Sequence, residues 1–316
     1  MFENLSSYEI QYARLSENIM IRGYEEFNER TNLKTRRLPM QTITVHSTPI
    51  LLGKTVYWKS AIEEILWIMQ KGSNNIHDLR PHIWDEWADK DGSIGKAYGY
   101  QISKYEQVKA LLDNLSKDNS SRRGVLNLWN VADLNEMNLV PCCYSSVWNI
   151  SGDRLHCMLV QRSGDIGLGV PFNTFQYWAL LKMFAAHLHV KEGNLMHCIA
   201  DAHIYENQYD GMDRYINNAI ILNKMIDDPN SIPAYDEKSF AYRSLNNMQL
   251  KLSSEEEYNS IIEEASKIYD NYNDPDVVYP ELIINNPKDN FWDFTIDDFS
   301  MINYHPMKPI KFEVAV

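Results

Sequence analysis

The chain has 316 residues, 44% hydrophobic and 12% aromatic, which is enough apolar material for a sizeable core. Its formal net charge of -13 argues against a general nucleic-acid or anionic-membrane surface, so an anionic substrate would have to be met by arginines gathered locally. No stretch approaches the roughly 20 apolar residues that span a bilayer, and the start Met1-Phe2-Glu3-Asn4 lacks the pattern of a secretory signal.

Residues 8–22 read as a helix. Residues 30–37 form a basic, loop-like stretch ahead of a β-prone run at 41–45. Within 58–70, Ala61, Ile62, Ile65, Leu66 and Met69 fall on one helical stripe. Residues 106–115 read as another helix, and 124–129 and 147–150 as strands. The run 155–161 carries little charge, which suits a strand buried on both faces. Residues 175–187 are nearly all apolar at helical length, the pattern of a helix inside the core. Residues 255–271 make an acidic surface helix. Helices and strands alternate irregularly, several strands lack crossover helices, and no linker interrupts the pattern. The expectation is an α+β fold with one domain over 1–316 and a surface insertion around 227–254.

Four segments carry chemistry. Pro141-Cys142-Cys143 offers thiols, and a nucleophilic one needs a positive, partly exposed setting. A free cysteine is more often a small buried hydrophobe. A bond between the adjacent pair would be strained, zinc-type spacing is absent, and reduced thiols in the cytosol are expected. Gln161-Arg162-Ser163-Gly164-Asp165 places an arginine beside a serine after an apolar strand, as a phosphate cradle requires; the plain alternative is a surface arginine paired with Asp165. Leu168-Gly169-Val170-Pro171-Phe172-Asn173 ends on an amide that can both donate to and accept from a uracil-like base edge. In Asp201-Ala202-His203-Ile204-Tyr205, His203 and Tyr205 share a face of an extended segment, suited to a sugar hydroxyl or to an ordinary half-buried strand. Ser120-Ser121-Arg122-Arg123 is either solvated charge or a phosphate contact across a subunit boundary.

Taken in order, these segments resemble the thymidylate synthase family over residues 8–316. Glu64-Ile65-Leu66-Trp67, His82-Ile83-Trp84-Asp85-Glu86-Trp87-Ala88, Ala97-Tyr98-Gly99 and the C-terminal Phe312-Glu313-Val314-Ala315-Val316 complete the match. The resemblance implies a homodimer joined through a large twisted mixed sheet. It implies C5 methylation of deoxyuridylate (dUMP), with 5,10-methylenetetrahydrofolate supplying carbon and hydride and no metal. Cys142 is then the nucleophile at C6, with Glu64, Tyr98, Asn173 and Asp165 in the catalytic set. Arg30, Arg162 and Ser163 bind the phosphate, joined by Arg122 and Arg123 of the other subunit. Asn173 reads N3 and O4, the Asp165 backbone reads O2, and His203 and Tyr205 hold the 3′-hydroxyl. Trp84, Trp87, Asp165, Leu168, Gly169 and Phe172 line the folate side, and the Val316 carboxylate closes over it.

Several positions depart from the family pattern. Cys143 stands where histidine is usual, Val147 where glutamine is usual, and Ala200 precedes Asp201 where glycine is usual. The basic N-terminal loop lacks the usual glycines, and Gly53-Lys54 replaces a Thr-Lys pair. Loss of glutamine at Val147 would change bound water, which separates hydride transfer from hydroxymethylation in this superfamily. Asn173 favours a uracil over a cytosine nucleotide. The intact Cys142, arginines and Asn173 argue against a non-catalytic paralogue, and the acidic charge argues against RNA binding.

Overall fold

Helix α1 (Ser7–Arg22) begins where the Ser6 hydroxyl accepts the Glu9 N–H at 3.1 Å, a cap of about 1 kcal/mol. The computed structural model describes residues 6–232, 243–244, 248–249, 252, 254–272 and 279–315. A hairpin follows α1: β1 (Tyr24–Asn28) pairs antiparallel with β2 (Leu33–Val45). The expected basic loop is therefore a turn of only four residues, 29–32. Strand β2 begins well before the β-prone run because Lys34, Arg36 and Arg37 find acidic partners on β1.

Helix α2 (Trp58–Met69) buries the expected stripe of Ala61, Ile62, Ile65, Leu66 and Met69. Short α3 (Gly99–Lys104) and α4 (Gln107–Lys117) lead to β3 (Gly124–Asn127), β4 (Cys143–Ser151), β5 (Arg154–Gln161) and two-residue β6 (Gly164–Asp165). Helix α5 (Gly169–His187) is buried nearly all round, as its apolar sequence demands. After β7 (Lys191–Tyr205) comes α6 (Tyr209–Asp227), a helix that its Asn- and Asp-rich sequence had concealed. A short antiparallel pair of β8 (Arg243–Ser244) and β9 (Met248–Gln249) precedes α7 (Glu255–Tyr272), the acidic helix, and the antiparallel pair of β10 (Glu281–Ile284) and β11 (Phe299–Ile302). Much of the expected insertion at 227–254 lies outside the described residues.

The main sheet runs β1-β2-β7-β5-β4-β3, with β6 also on β7. Strands β5 and β6 lie parallel to β7, and the other pairs are antiparallel. Its inner face carries the row Leu126, Ser146, Leu159, His197, Ile43, all buried. Helix α5 crosses this face over β5 and β7, α1 lies over β2 and β7, and α2 packs on α5. One residue along, the outer face carries Val125, Val147, Met158, Met196 and Thr44 in register. Val125 is 47% exposed, Met158 38% and Met196 41%. Strand β5 is thus buried on one face of the chain and open on the other, not buried on both. Among the described residues, no helix is long and apolar enough to cross a membrane.

Candidate active site

The inner end of the sheet opens into a pocket lined by residues from α2, α5 and β4. Glu64, Trp84, Tyr98, Cys142, Cys143, Asn173, Gln176 and Tyr177 all contribute. Tyr98 is held at φ 44°, a left-handed conformation uncommon outside glycine. The next residue must be glycine, because a Cβ on Gly99 would stand 2.0 Å from the Ser73 carbonyl oxygen. That constrained corner aims the Tyr98 hydroxyl at the backbone N–H of Cys142, which donates to it at 3.1 Å.

Cys142 is half-buried just before β4, and its Sγ lies 3.9 Å from Arg162 Nη2. The Arg162 guanidinium is fixed by donating to the Val140 carbonyl at 2.8 Å and the Pro141 carbonyl at 3.1 Å. Burial pushes the Cys142 thiol up, while Arg162 and Arg30 pull it down toward the thiolate. Burial raises the Tyr205 hydroxyl, and Arg30, from the β1–β2 turn, opposes that rise. His203 and Tyr205 are neighbours at the end of β7, their rings edge to face at 5.0 Å, and neither lines this pocket. Asp165 pairs with His203 between β6 and β7, and Ser163 lies on the connection entering β6.

Glu64 is enclosed. Trp84 Nε1 donates to its Oε1 at 3.0 Å, and Gln176 Nε2 donates to its Oε2 at 2.6 Å. Burial raises its carboxyl to about 7, against the pull of those two donors. A carboxyl poised there can hold or release a proton at neutral pH. Asn173 Nδ2 donates to Gln176 Oε1 at 3.3 Å, and its Oδ1 accepts from Gln161 Nε2 at 3.1 Å.

Trp84 meets Tyr98 and Trp87 edge to face, at 4.9 and 5.5 Å. Trp87, Leu168 and Phe172 are half-buried apolar side chains packed against the core. Asp165 caps this side: its Oδ1 accepts the Leu168 N–H at 3.1 Å, and its Oδ2 accepts Gln208 Nε2 at 3.0 Å. Gln208 also donates to the Glu313 carbonyl at 3.1 Å, which ties the C-terminal segment to the site. Buried Lys54 donates to the Gly167 carbonyl at 2.7 Å and sits 4.3 Å above the Phe312 ring. Desolvation lowers its ammonium to about 7. Val316 lies outside the described residues.

Arg122 and Arg123 do not join the pocket of their own chain; both are exposed on the turn before β3. Cys143 faces the pocket as a buried thiol held neutral by desolvation. Val147 is not among the lining residues and belongs to the outer row of the sheet, so its change from glutamine does not rearrange the pocket within this chain. All four cysteines are free.

Sequence reasoning had passed over Gln176, Gln208 and His197. Gln176 had a signal, since a lone amide in an apolar core helix needs a buried partner.

A family model described as "Thymidylate synthase" matches residues 10–316. The thymidylate synthase of Clostridium beijerinckii is 35% identical, over 99% of this chain and 100% of its own length. That of Bacillus phage phi3T is 33% identical with the same coverage. Among solved structures, a thermostable thymidylate synthase A from Bacillus subtilis superposes with a TM-score of 0.75 at 31% identity, covering 98% of this chain and 99% of that one.

Proposed function

The chain belongs to the thymidylate synthase family, and from that membership we propose how its residues carry out the reductive methylation of dUMP to thymidylate. The chain is a folate-dependent methyltransferase whose co-substrate is 5,10-methylenetetrahydrofolate. The hydroxymethylase alternative is not favoured, since the full-length relatives are thymidylate synthases.

Uracil C5 is a poor nucleophile until a thiolate adds at C6 and places an enolate across C4 and C5. Cys142 supplies that thiolate, and the Arg162 guanidinium 3.9 Å from its Sγ supports the charge. Arg30, Arg162 and Ser163 hold the phosphate, which itself draws the arginines into place. Asn173 reads N3 and O4, the Asp165 backbone reads O2, and His203 and Tyr205 hold the 3′-hydroxyl. The folate supplies the carbon and the hydride. Trp84, Trp87, Leu168, Gly169 and Phe172 receive its rings, and Asp165 fixes the turn beneath them. Glu64, with its carboxyl near neutrality, moves protons to and from the base through water, with Tyr98 beside it. The C-terminal segment, tied down at Glu313 by Gln208 and at Phe312 by Lys54, covers the folate and excludes water.

The outer sheet face is the dimer contact. A row of exposed Val125, Met158 and Met196 with half-buried Val147 is costly in water and self-complementary across a twofold axis. Arg122 and Arg123, exposed in their own chain, then reach the partner's phosphate site. Reduced thiols fit a cytosolic setting.

The observation that carries this reading is the placement of Cys142, Asn173 and Glu64 around one pocket, with Arg162 against the Cys142 sulfur. Incubation with methylenetetrahydrofolate and 5-fluorodeoxyuridylate tests it. Fluorine at C5 cannot leave as a cation, so the adduct stalls, and peptide mass spectrometry finds nucleotide and folate masses on Cys142. A Cys142→Ser chain stays unlabelled. Labelling of Cys143 in its place would overturn the assignment.

A further inference from the structure

Asn173 is held by two amides, and each is oriented by a group that, once pH stands above about 7 and Glu64 is ionised, can only accept. At one end, the ionised Glu64 carboxylate accepts at Oε2, so Gln176 must present Nε2 there, at 2.6 Å. Gln176 Oε1 is then left facing Asn173 and takes its Nδ2–H at 3.3 Å. At the other end, the Ser163 backbone carbonyl accepts from Gln161 Nε2 at 2.8 Å. Gln161 Oε1 therefore points the other way and accepts from His197 Nε2 at 2.7 Å. His197 is wholly buried on the inner row of the sheet. Gln161 Nε2 also donates to Asn173 Oδ1 at 3.1 Å.

The Asn173 amide is thus pinned from both sides. A flip would set Nδ2 against Gln161 Nε2 and Oδ1 against Gln176 Oε1, two pairs of like polarity in a buried place. Neither neighbour can flip in compensation once Glu64 is ionised, because its carboxylate and the Ser163 carbonyl then offer no hydrogen. In the fixed orientation, the remaining Nδ2 hydrogen and Oδ1 lone pair meet a base with an acceptor at C4 and a donor at N3. Cytosine presents the reverse.

We propose that Gln176 and Gln161 are positioning residues for base selection, which lock the Asn173 amide in the uracil-reading orientation through Glu64 and the Ser163 carbonyl. This rests on the reading that Asn173 faces the base. It assigns the rejection of cytosine nucleotides to two side chains that need not touch the nucleotide.

The test is calorimetric binding of dUMP and deoxycytidylate at pH 8 to the wild-type chain, to Gln176→Leu and to Gln161→Leu, with Tm measured on each. Loss of one anchor lowers the ratio of the two Kd values by about tenfold, the worth of one hydrogen bond. The fall combines weaker dUMP with tighter deoxycytidylate. Should Gln176→Leu fail to fold, Gln161→Leu gives the same readout from the other side. A merely structural role would weaken both nucleotides equally and leave the ratio unmoved, which overturns the proposal. A wild-type chain that binds the two nucleotides equally would instead overturn the reading of Asn173 itself.

Discussion

The two ends of the pocket are built by opposite means. At the base end, Glu64 comes from α2, Asn173 and Gln176 from α5, Gln161 from β5 and His197 from β7. These elements are the centre of the core, and buried hydrogen bonds tie the side chains together. At the proposed phosphate end the cations come from connections: Arg30 from a hairpin turn and Arg162 from the connection after β5, with Arg122 and Arg123 on an exposed turn outside their own chain's pocket. Proton transfer and base reading demand positions fixed to a fraction of an ångström. Charge neutralisation tolerates looser placement, and can be shared between chains.

The largest break in that comparison is Glu64→Gln. Removing a positioned acid/base lowers kcat by about 10²–10⁴-fold, measured with saturating dUMP and folate. The same variant reports on stability, because the folded chain raises the Glu64 carboxyl from 4.5 to about 7. A raised carboxyl favours the neutral form, so its contribution is fully present below pH 4.5 and is lost as pH rises through about 7. The stability of Glu64→Gln relative to wild type should grow over that window by about 3 kcal/mol, followed by denaturant melts at pH 5 and pH 8. A difference independent of pH would mean that Glu64 ionises like an exposed carboxylate.

At the phosphate end, Arg122→Ala with Arg123→Ala should raise the KM for dUMP by about ten- to a hundredfold, as expected for losing charged hydrogen bonds. Because both residues are exposed in their own chain, Tm should change little. Mixing this variant with Cys142→Ser chains restores activity through hybrid dimers; no recovery would place the arginines outside the partner's site. A smaller effect is expected on the outer row of the sheet, the proposed seam between chains. Met158→Glu puts a charge on the outer row, and sedimentation should show the dimer dissociating at concentrations where wild type stays associated. An unchanged dimer would move the interface elsewhere.

Much of the site could be read from the sequence, because its chemistry sits in short runs whose residues stay adjacent in space: Pro141-Cys142, Gln161 to Asp165, Leu168 to Asn173. The supports around those runs could not be read. Gln208 reaches Asp165 across 43 positions, and Gln176 reaches Glu64 across 112. Such pairings depend on tertiary placement and leave no local pattern. The expectation of two buried faces for β5 failed for an informative reason. Met158 and Val160 are apolar, and on the proposed assembly the face they share is covered by a second chain rather than by this chain's own core. The β1–β2 hairpin was missed because its strands are stabilised by facing charges, which read as loop composition.

The most direct test of the account is product identity. Purified protein is incubated with dUMP and methylenetetrahydrofolate, and both products are identified by mass spectrometry. Thymidylate and dihydrofolate are expected in equal amounts, the signature of hydride delivered to a Cys142-bound intermediate. A nucleotide heavier than thymidylate by one oxygen, formed with tetrahydrofolate, would contradict it.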